Sequence, residues 1–254
     1  MCVLALAWNA HRHWRLIVAG NRDEFHARQA LPLSRWNAPH GILAGRDLQS
    51  GGTWLGLSER GAFGVVTNFR GYGLPHAGRP SRGMLLRDLV AGGGKYSHAS
   101  NTDFASFNPF NLIMVERGDA CFMTNRPTPA RKVLTAGIYA LSNGTLNEPW
   151  LKTIKLGRFL KGWLESGATQ PEILLDALCD DADLKAGSAL KPSAKVQAND
   201  PMSPIFIRDT VYGTRCSTVV MVDDSSNGTV IERRFDAHGV STGETTMTFS
   251  WPAA

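Results

Sequence analysis

The sequence predicts an α+β fold in which the sheets are mostly antiparallel. About ten short apolar segments are separated by turn residues, which is the pattern of hairpins and meanders. Helical periodicity is found mainly in one central stretch and does not follow each strand in turn. This order argues against a parallel sheet, because parallel strands need a crossover connection, usually a helix, between them.

The chain begins with a predicted hairpin. Val3–Trp8 and Trp14–Gly20 are strand-like runs separated by five mainly polar residues, Asn9–His13. If the hairpin is centred in this connection, Cys2 lies opposite about Gly20, and Asn21–Glu24 emerge from the strand beside the N-terminus.

The remaining elements follow from similar signals. Ser81 is a typical N-cap, and the glycines 92–94 end the helix that it starts. Proline at a first helical position predicts the start of each of two later helices. The predicted strands are Ile42–Gly45, Thr53–Ser58, Ala62–Thr67, Asn111–Val115, Ala120–Asn125, Gly137–Leu141, Gly213–Val222, Thr229–Phe235 and Thr245–Trp251; the predicted helices are Met84–Val90, Pro149–Leu164 and Pro171–Cys179; Lys185–Pro204 is predicted to be a long loop that would cover a site.

Length and composition predict one large domain, 1–254. The net charge of +5 is spread without any run of five basic residues, so nucleic-acid binding is not expected. The four cysteines are far apart and form no CxxC pair, which excludes a zinc knuckle and suits a reducing cytoplasm. We also expect no signal peptide and no membrane span, since no apolar run approaches the required length.

Cys2 is the candidate reactive residue. Removal of Met1 would leave a thiol and a free α-amine on one residue, and an α-amine with a pKa of about 7.7–8.0 can act as the base for its own nucleophile. Arg22 would favour the thiolate, and Asp23 would orient the amine by accepting a hydrogen bond from it. The alternative is that Cys2 is simply a small buried apolar residue.

Several short motifs occur in a specific order along the chain. They are Met-Cys at the start, Asn21-Arg22-Asp23-Glu24-Phe25, Gly51-Gly52-Thr53-Trp54-Leu55-Gly56, Val66-Thr67-Asn68-Phe69-Arg70, Leu141-Ser142-Asn143 and Tyr212-Gly213-Thr214-Arg215. Together they resemble the NRDE family, also called the Transport and Golgi organisation protein 2 family. The resemblance implies an N-terminal-nucleophile (Ntn) type αββα sandwich, with two mostly antiparallel sheets between helical layers.

A more distant likeness is to N-terminal cysteine hydrolases such as penicillin V acylase and bile salt hydrolase. It implies that Cys2 attacks an amide carbonyl while Arg22 and Asp23 tune the thiol and the amine. It also implies that Asn68 and Asn143 stabilise the oxyanion and that Arg215 lines the same pocket. This chain departs from the pattern, because its Arg and Asp are adjacent, whereas those of the hydrolases stand two residues apart. Either asparagine would alternatively satisfy only turn backbone.

Two functions are compatible with these residues. The first is a hydrolase that cleaves the linear C–N amide bond of a small acylated substrate and requires no cofactor. The second is a carrier, since the family resemblance also implies haem trafficking or lipid and acyl-CoA homeostasis, with haem as a carried ligand. No histidine or cysteine stands in a diagnostic haem motif, and we predict no metal site.

Overall fold

The computed structural model describes residues 2–39, 41–116, 118–181 and 203–252. These residues form thirteen strands, three α-helices and two short 3-10 helices. The strands are β1 (Cys2–His11), β2 (Trp14–Phe25), β3 (Ala30–Arg35), β4 (Ile42–Asp47), β5 (Leu55–Ser58), β6 (Ala62–Asn68), β7 (Phe110–Glu116), β8 (Asp119–Thr124), β9 (Ala130–Leu134), β10 (Gly137–Leu141), β11 (Tyr212–Asp223), β12 (Asn227–Phe235) and β13 (Ser241–Ser250); the α-helices are α1 (Arg82–Ala91), α2 (Leu151–Glu165) and α3 (Pro171–Leu178); the 3-10 helices are Ala99–Asn101 and Phe104–Ser106.

The strands form two antiparallel sheets. The six-stranded sheet has the order β10-β1-β2-β11-β12-β13, and the seven-stranded sheet runs from β3 to β9 in sequence order. Helices α2 and α3 cover the outer face of the first sheet, and α1 covers the outer face of the second. The predicted α+β class and αββα layering are therefore confirmed.

The alternation of side chains along β1 shows how the layers form. Leu4, Leu6 and Trp8 lie in the core between the two sheets, whereas Val3 and Ala5 pack in the core beneath α2 and α3. Because successive side chains of a strand point to opposite faces, residue 2 belongs to the face between the sheets. The candidate nucleophile therefore lies at the end of the inter-sheet space.

The register of the first hairpin differs from the prediction by two residues. Cys2 pairs with Arg22, and Leu4 pairs with Gly20. The register shifts between Trp8 and His11, where Asn9 adopts a positive φ of 44°. This bulge moves the turn towards β2, so that Cys2 lies directly beside Arg22, and the Asn21–Glu24 motif is part of the strand rather than the turn after it.

Two strands were missed by the sequence prediction, and both are edge strands. β3 and β9 lie at the two ends of the seven-stranded sheet, and most of their side chains are exposed. Because an edge strand packs little of its surface, it carries only a weak alternating pattern.

The predicted helices are present with small shifts at their ends. Ser81 caps α1 by accepting a hydrogen bond from the Met84 N–H, and Gly92 ends it with a left-handed φ of 65°. α2 begins at Leu151, after Pro149 and the N-cap Trp150. Of the predicted loop Lys185–Pro204, all but the last two residues lie outside the described residues. None of the helices in the described ranges has the length and apolar character needed to cross a membrane.

The start of α1 is held against the turn between β4 and β5. The Thr53 N–H donates a hydrogen bond to the Gly83 carbonyl at 3.1 Å. A Cβ on Gly52 would lie only 2.2 Å from the Gly83 carbonyl carbon, so the two backbones can approach only because residue 52 is glycine. This contact fixes the first turn of α1 next to the end of β4.

We expect Gly52→Ala to destabilise the protein by about 2 kcal/mol, because the added methyl group meets backbone that cannot move without displacing α1. Gly162→Ala, in the exposed part of α2 where nothing lies within 4 Å of the added Cβ, is the control. It should stabilise the protein by about 0.5–1 kcal/mol. Urea unfolding of both variants checks the prediction, and equal effects of the two substitutions would contradict it.

Candidate functional site

Cys2 is held at the end of β1 by neighbours on both sides. On one side it pairs with Arg22 of β2. On the other, the Ser142 hydroxyl donates a hydrogen bond to the Cys2 carbonyl at 2.7 Å, just beyond the end of β10. The backbone of Cys2 is therefore held from both sides, and the residue as a whole is half-buried.

Arg22 extends from Cys2 towards the other sheet. Its Nη2 lies 3.1 Å from Oδ2 of Asp47, and its guanidinium lies over the Trp54 ring, 4.4 Å from the centroid. A Cβ on Gly45 would come within 2.3 Å of this ring, so the glycine leaves room for Trp54. The buried cation is thus stabilised by a carboxylate and by an aromatic face.

Asp47 is shared by two arginines. Its carboxylate also accepts hydrogen bonds from Arg28, at 2.6 Å from Nε and 3.2 Å from Nη2, and from the Ser50 N–H at 2.9 Å. Burial alone would raise the pKa of Asp47, but these donors and the two positive charges outweigh it and lower the pKa below its ordinary value of 3.8. Asp47 therefore remains ionised at neutral pH.

The motif at 21–23 alternates between the two faces of β2. Asn21 and Asp23 point towards the helices, opposite to Arg22. The Asn21 amide donates to the carbonyls of Leu178 and Ile205, at 2.8 and 2.9 Å. Asn21 therefore joins the sheet to the helical layer.

Asp23 is buried beneath the start of α2. Thr214 donates to its Oδ1 at 2.7 Å. Burial raises the pKa of Asp23, whereas the charge of Lys152, the Thr214 hydrogen bond and the charge of Arg22 act against this. Asp23 and Lys152 are thus buried in the same low-dielectric surroundings. The backbone of Asp23 also forms a hydrogen bond with the Cys2 thiol.

The thiol of Cys2 has a raised pKa. Burial is the main cause, and the Asp23 carboxylate acts in the same direction, whereas Arg22 and the hydrogen bond from the Asp23 backbone lower it. Desolvation disfavours the charged form, and here it outweighs the neighbouring cation. The thiol is consequently protonated at neutral pH and needs a base before it can attack.

The two predicted oxyanion residues lie together where the sheets meet. The buried Asn143 amide donates to the Asn68 carbonyl at 2.8 Å, and the Thr67 hydroxyl donates to the Ser142 carbonyl at 2.8 Å. These bonds join the end of β6 to the end of β10. Asn143 directly follows Ser142, which holds Cys2, and Asn68 is exposed.

Arg215 lies at a bulge in β11 and donates hydrogen bonds to backbone carbonyls. Its Nη1 donates to the carbonyls of Phe25, His26 and Arg28, at 2.9, 3.3 and 3.0 Å. Burial lowers the pKa of Arg215, and the charge of Arg22 contributes. Arg215 therefore supports the turn that carries Arg28.

A second buried thiol lies on the same face as Cys2. Cys216 pairs with Arg22 from the side opposite to Cys2. Burial raises its pKa strongly, and the nearby Glu232 adds to this. Glu232 itself accepts a hydrogen bond from the Leu33 N–H at 2.8 Å and thereby links β12 to β3 of the other sheet.

Four charged residues around Cys2 were not predicted. The burial of Lys152 could have been predicted, because Lys152 lies four and eight residues before Leu156 and Leu160 and so shares their apolar face of α2. Arg82 also stands out in the sequence, because a cation in the first turn of a helix interacts unfavourably with the helix dipole. Asp47 and Arg28 gave no local signal, because only the packing of the two sheets brings them to Arg22.

The fold matches that of a known amidase. A solved structure described as the Caenorhabditis elegans N-acylethanolamine-hydrolyzing acid amidase ortholog superposes with a TM-score of 0.52 at 13% sequence identity, covering 86% of this chain and 92% of that chain. At this identity the likeness concerns the fold alone. The chain therefore has the fold of the N-terminal-nucleophile hydrolases.

The sequence identifies the family. The profile described as Transport and Golgi organisation 2 matches residues 1–237. The mouse Transport and Golgi organization 2 homolog is 31% identical over 260 residues, covering 92% of each chain. The human homolog is 30% identical over 268 residues, covering 96% of this chain and 97% of its own length. This chain belongs to the Transport and Golgi organisation 2 family, as the sequence motifs predicted.

We expect Asp47→Asn to destabilise the protein by about 3 kcal/mol at neutral pH, because it leaves the buried Arg22 without its carboxylate. The pKa of Asp47 in the folded protein is below its ordinary value of 3.8. The ionised carboxylate therefore contributes fully to folding stability above pH 3.8, and this contribution is lost as the pH falls through the folded-state pKa. The difference between wild type and variant in urea unfolding should therefore shrink at acidic pH.

Asp176→Asn is the matched control, because Asp176 pairs with Arg233 while its side chain is 74% exposed. Its effect should stay below about 1 kcal/mol. A similar small effect for Asp47→Asn would show that the ion pair between the sheets contributes little.

Proposed function

We propose that this protein is an N-terminal cysteine hydrolase that cleaves the amide or acyl bond of a small acylated substrate. The observation that carries the proposal is the pairing of Cys2 with Arg22 at the end of the inter-sheet space, with the Cys2 carbonyl held by Ser142. A terminal nucleophile placed beside a buried cation is the arrangement that this chemistry needs.

The proposed reaction begins with removal of Met1, which exposes the α-amine of Cys2. The neutral amine accepts the thiol proton, and Sγ attacks the carbonyl carbon to form a C–S bond and a tetrahedral oxyanion. The oxyanion collapses with cleavage of the C–N bond, and the departing amine takes the proton from the α-ammonium. Water, deprotonated by the same α-amine, then cleaves the thioester, releases the acid and restores the thiol.

The raised thiol pKa fits this sequence of steps. A thiol that is protonated at neutral pH does not attack on its own, so the reaction depends on a base within reach, and the α-amine of the same residue is such a base. Asp23 would orient the ammonium that forms, and its own charge is moderated by Lys152 and Thr214.

Asn143 and Asn68 are the proposed oxyanion donors. Asn143 uses one N–H on the Asn68 carbonyl, so its second N–H remains for a substrate oxygen, and Asn68 is exposed. Loss of one such donor typically costs about 2.7–4 kcal/mol of transition-state stabilisation. Arg215 would act indirectly, by holding the turn after β2 through its hydrogen bonds to the Phe25 and Arg28 carbonyls.

We place this activity in the cytoplasm. All four cysteines are free, which suits a reducing compartment. The alternative function, a carrier of haem or of a lipid or acyl-CoA ligand, would use the same site without turnover, and it differs from the hydrolase in making no demand on the N-terminus.

The first expected result is that the native protein lacks Met1 and that a cysteine-directed acylating probe modifies Cys2 much faster than the other three cysteines. Intact mass before and after labelling measures both events, and Cys2→Ala is the control that should abolish the fast phase. Retention of Met1 together with slow labelling of Cys2 would remove the hydrolase mechanism and favour the carrier.

The pH dependence of Cys2 alkylation gives a second test. While Met1 is present, burial holds the thiol pKa above its ordinary value of 9.0, so the rate with iodoacetamide should still rise with pH through that value. After Met1 is removed, the ammonium group lies on Cys2 itself, and we expect the rate to level off at lower pH. Glutathione in the same buffers is the reference; identical profiles for the two forms would contradict the role of the amine.

A further inference from the structure

Arg82 is a partly buried cation close to the candidate oxyanion residues, and the proposed mechanism does not use it. It is the first residue of α1, and its Nη1 donates to the Pro109 carbonyl at 2.8 Å. Among the residues that the structure describes, no carboxylate lies within ion-pair distance of Arg82.

The nearest carboxylates are already engaged by other cations. Asp47 accepts from both Arg22 and Arg28, and Glu24 lies 3.8 Å from Arg28. Of Arg22, Arg28 and Arg82, the first two are paired with these carboxylates and the third has none of the described carboxylates within ion-pair distance.

Hydrogen bonds connect Arg82 to the residues around Cys2. The Pro109 carbonyl that accepts from Arg82 also accepts from the Phe69 N–H at 3.0 Å, and the preceding Asn68 is bonded to Asn143, whose neighbour Ser142 holds Cys2.

Burial lowers the pKa of Arg82 to about 10, and the charge of Arg28 contributes to the decrease. A negative charge on Glu24 or on the Cys2 thiolate acts in the opposite direction. Arg82 therefore lies within electrostatic reach of the sulfur, and it would be stabilised by an anion bound there.

The main chain holds Arg82 in this place. The first turn of α1 is docked on the β4–β5 turn through the contact of Gly52 with Gly83 and the hydrogen bond from Thr53 to Gly83. Both the cation and the positive end of the α1 dipole lie at this end of the helix, where a negative group would be favourable and a further cation is not.

We infer that Arg82 is a specificity-determining residue that binds a carboxylate of the substrate close to the scissile bond, so that the site selects anionic acylated compounds over neutral ones. The inference rests on the proposed function, since it supposes that Cys2 is the attacking group. The carboxylate belongs either to the acyl part or to the amine part of the substrate, and both would present the same group to the guanidinium.

Iodoacetate and iodoacetamide form a matched pair of probes, because they alkylate a thiol identically and differ mainly in charge. In wild-type protein the rate ratio of iodoacetate to iodoacetamide at Cys2 should exceed that in Arg82→Gln by roughly tenfold, since one charge-assisted contact to an anion is lost. Arg82→Lys should retain much of the ratio. Peptide mass analysis assigns the modification to Cys2.

Arg158→Gln is the control for net charge, because Arg158 is exposed on α2 and its loss changes the total charge by the same amount. Its rate ratio should equal that of wild type. The iodoacetamide rate separates the two proposals. If Cys2 is unreactive towards iodoacetamide, the proposed function fails; if Cys2 is reactive but Arg82→Gln leaves the rate ratio unchanged, the role of Arg82 fails alone.

Protection of Cys2 from iodoacetamide distinguishes the two sources of the carboxylate. N-acetylglycine carries it on the amine side and succinamate on the acyl side; N-acetylglycinamide and succinamide are their neutral counterparts. Stronger protection by one anion than by its neutral counterpart, lost in Arg82→Gln, assigns the source. Equal protection by anion and neutral compound in both pairs overturns the assignment of Arg82 to a substrate carboxylate.

Discussion

Asp47 and Arg22 belong to different sheets, and their charges neutralise each other in a buried place between them. Apolar packing alone would allow the sheets to slide by small amounts. A buried cation and a buried carboxylate must stay in contact, because separated charges would remain buried with neither a partner nor water to stabilise them. Trp54 covers the pair from one side. The position of Cys2 follows from this contact, because Cys2 is paired with Arg22 on the neighbouring strand.

The same burial shapes the chemistry of the site. The pKa values of Cys2 and Asp23 are both raised by desolvation, although cations lie close to each of them. In the proposed hydrolysis, the charges that develop during the reaction would be matched by groups already in place. Arg82 differs from Arg22 and Arg28, because none of the described carboxylates lies within ion-pair distance of it.

Much of the fold could be predicted from the sequence, because each main signal is local. The alternation in β1, the Ser81 cap and the glycines after α1 each determine structure within a few residues. The register of the first hairpin was wrong by two residues, since the bulge near Asn9 depends on the backbone conformation of one residue. The edge strands were missed because their side chains are mostly exposed.

The sequence predicted only the part of the site that depends on local structure. Cys2 and Arg22 are close because they lie on the two strands of one hairpin, which the sequence indicates directly. Asp47 and Arg82 reach them only through the packing of separate layers, and no spacing along the chain encodes that. The burial of Lys152 could have been predicted from the sequence, because this lysine lies on the apolar face of a helix.

The pairing of Arg22 with a cysteine on each side also decides how the site would respond to oxidants. Two strand spacings, about 10 Å, separate the backbones of Cys2 and Cys216, whereas a disulfide needs Cα atoms within about 7 Å. Cys216 therefore cannot act as a resolving thiol. A sulfenic acid formed on Cys2 would instead condense with a small thiol from solvent, giving water and a mixed disulfide, and a second small thiol would release Cys2 as the thiol, so recovery of the site would depend on the thiol pool around the protein.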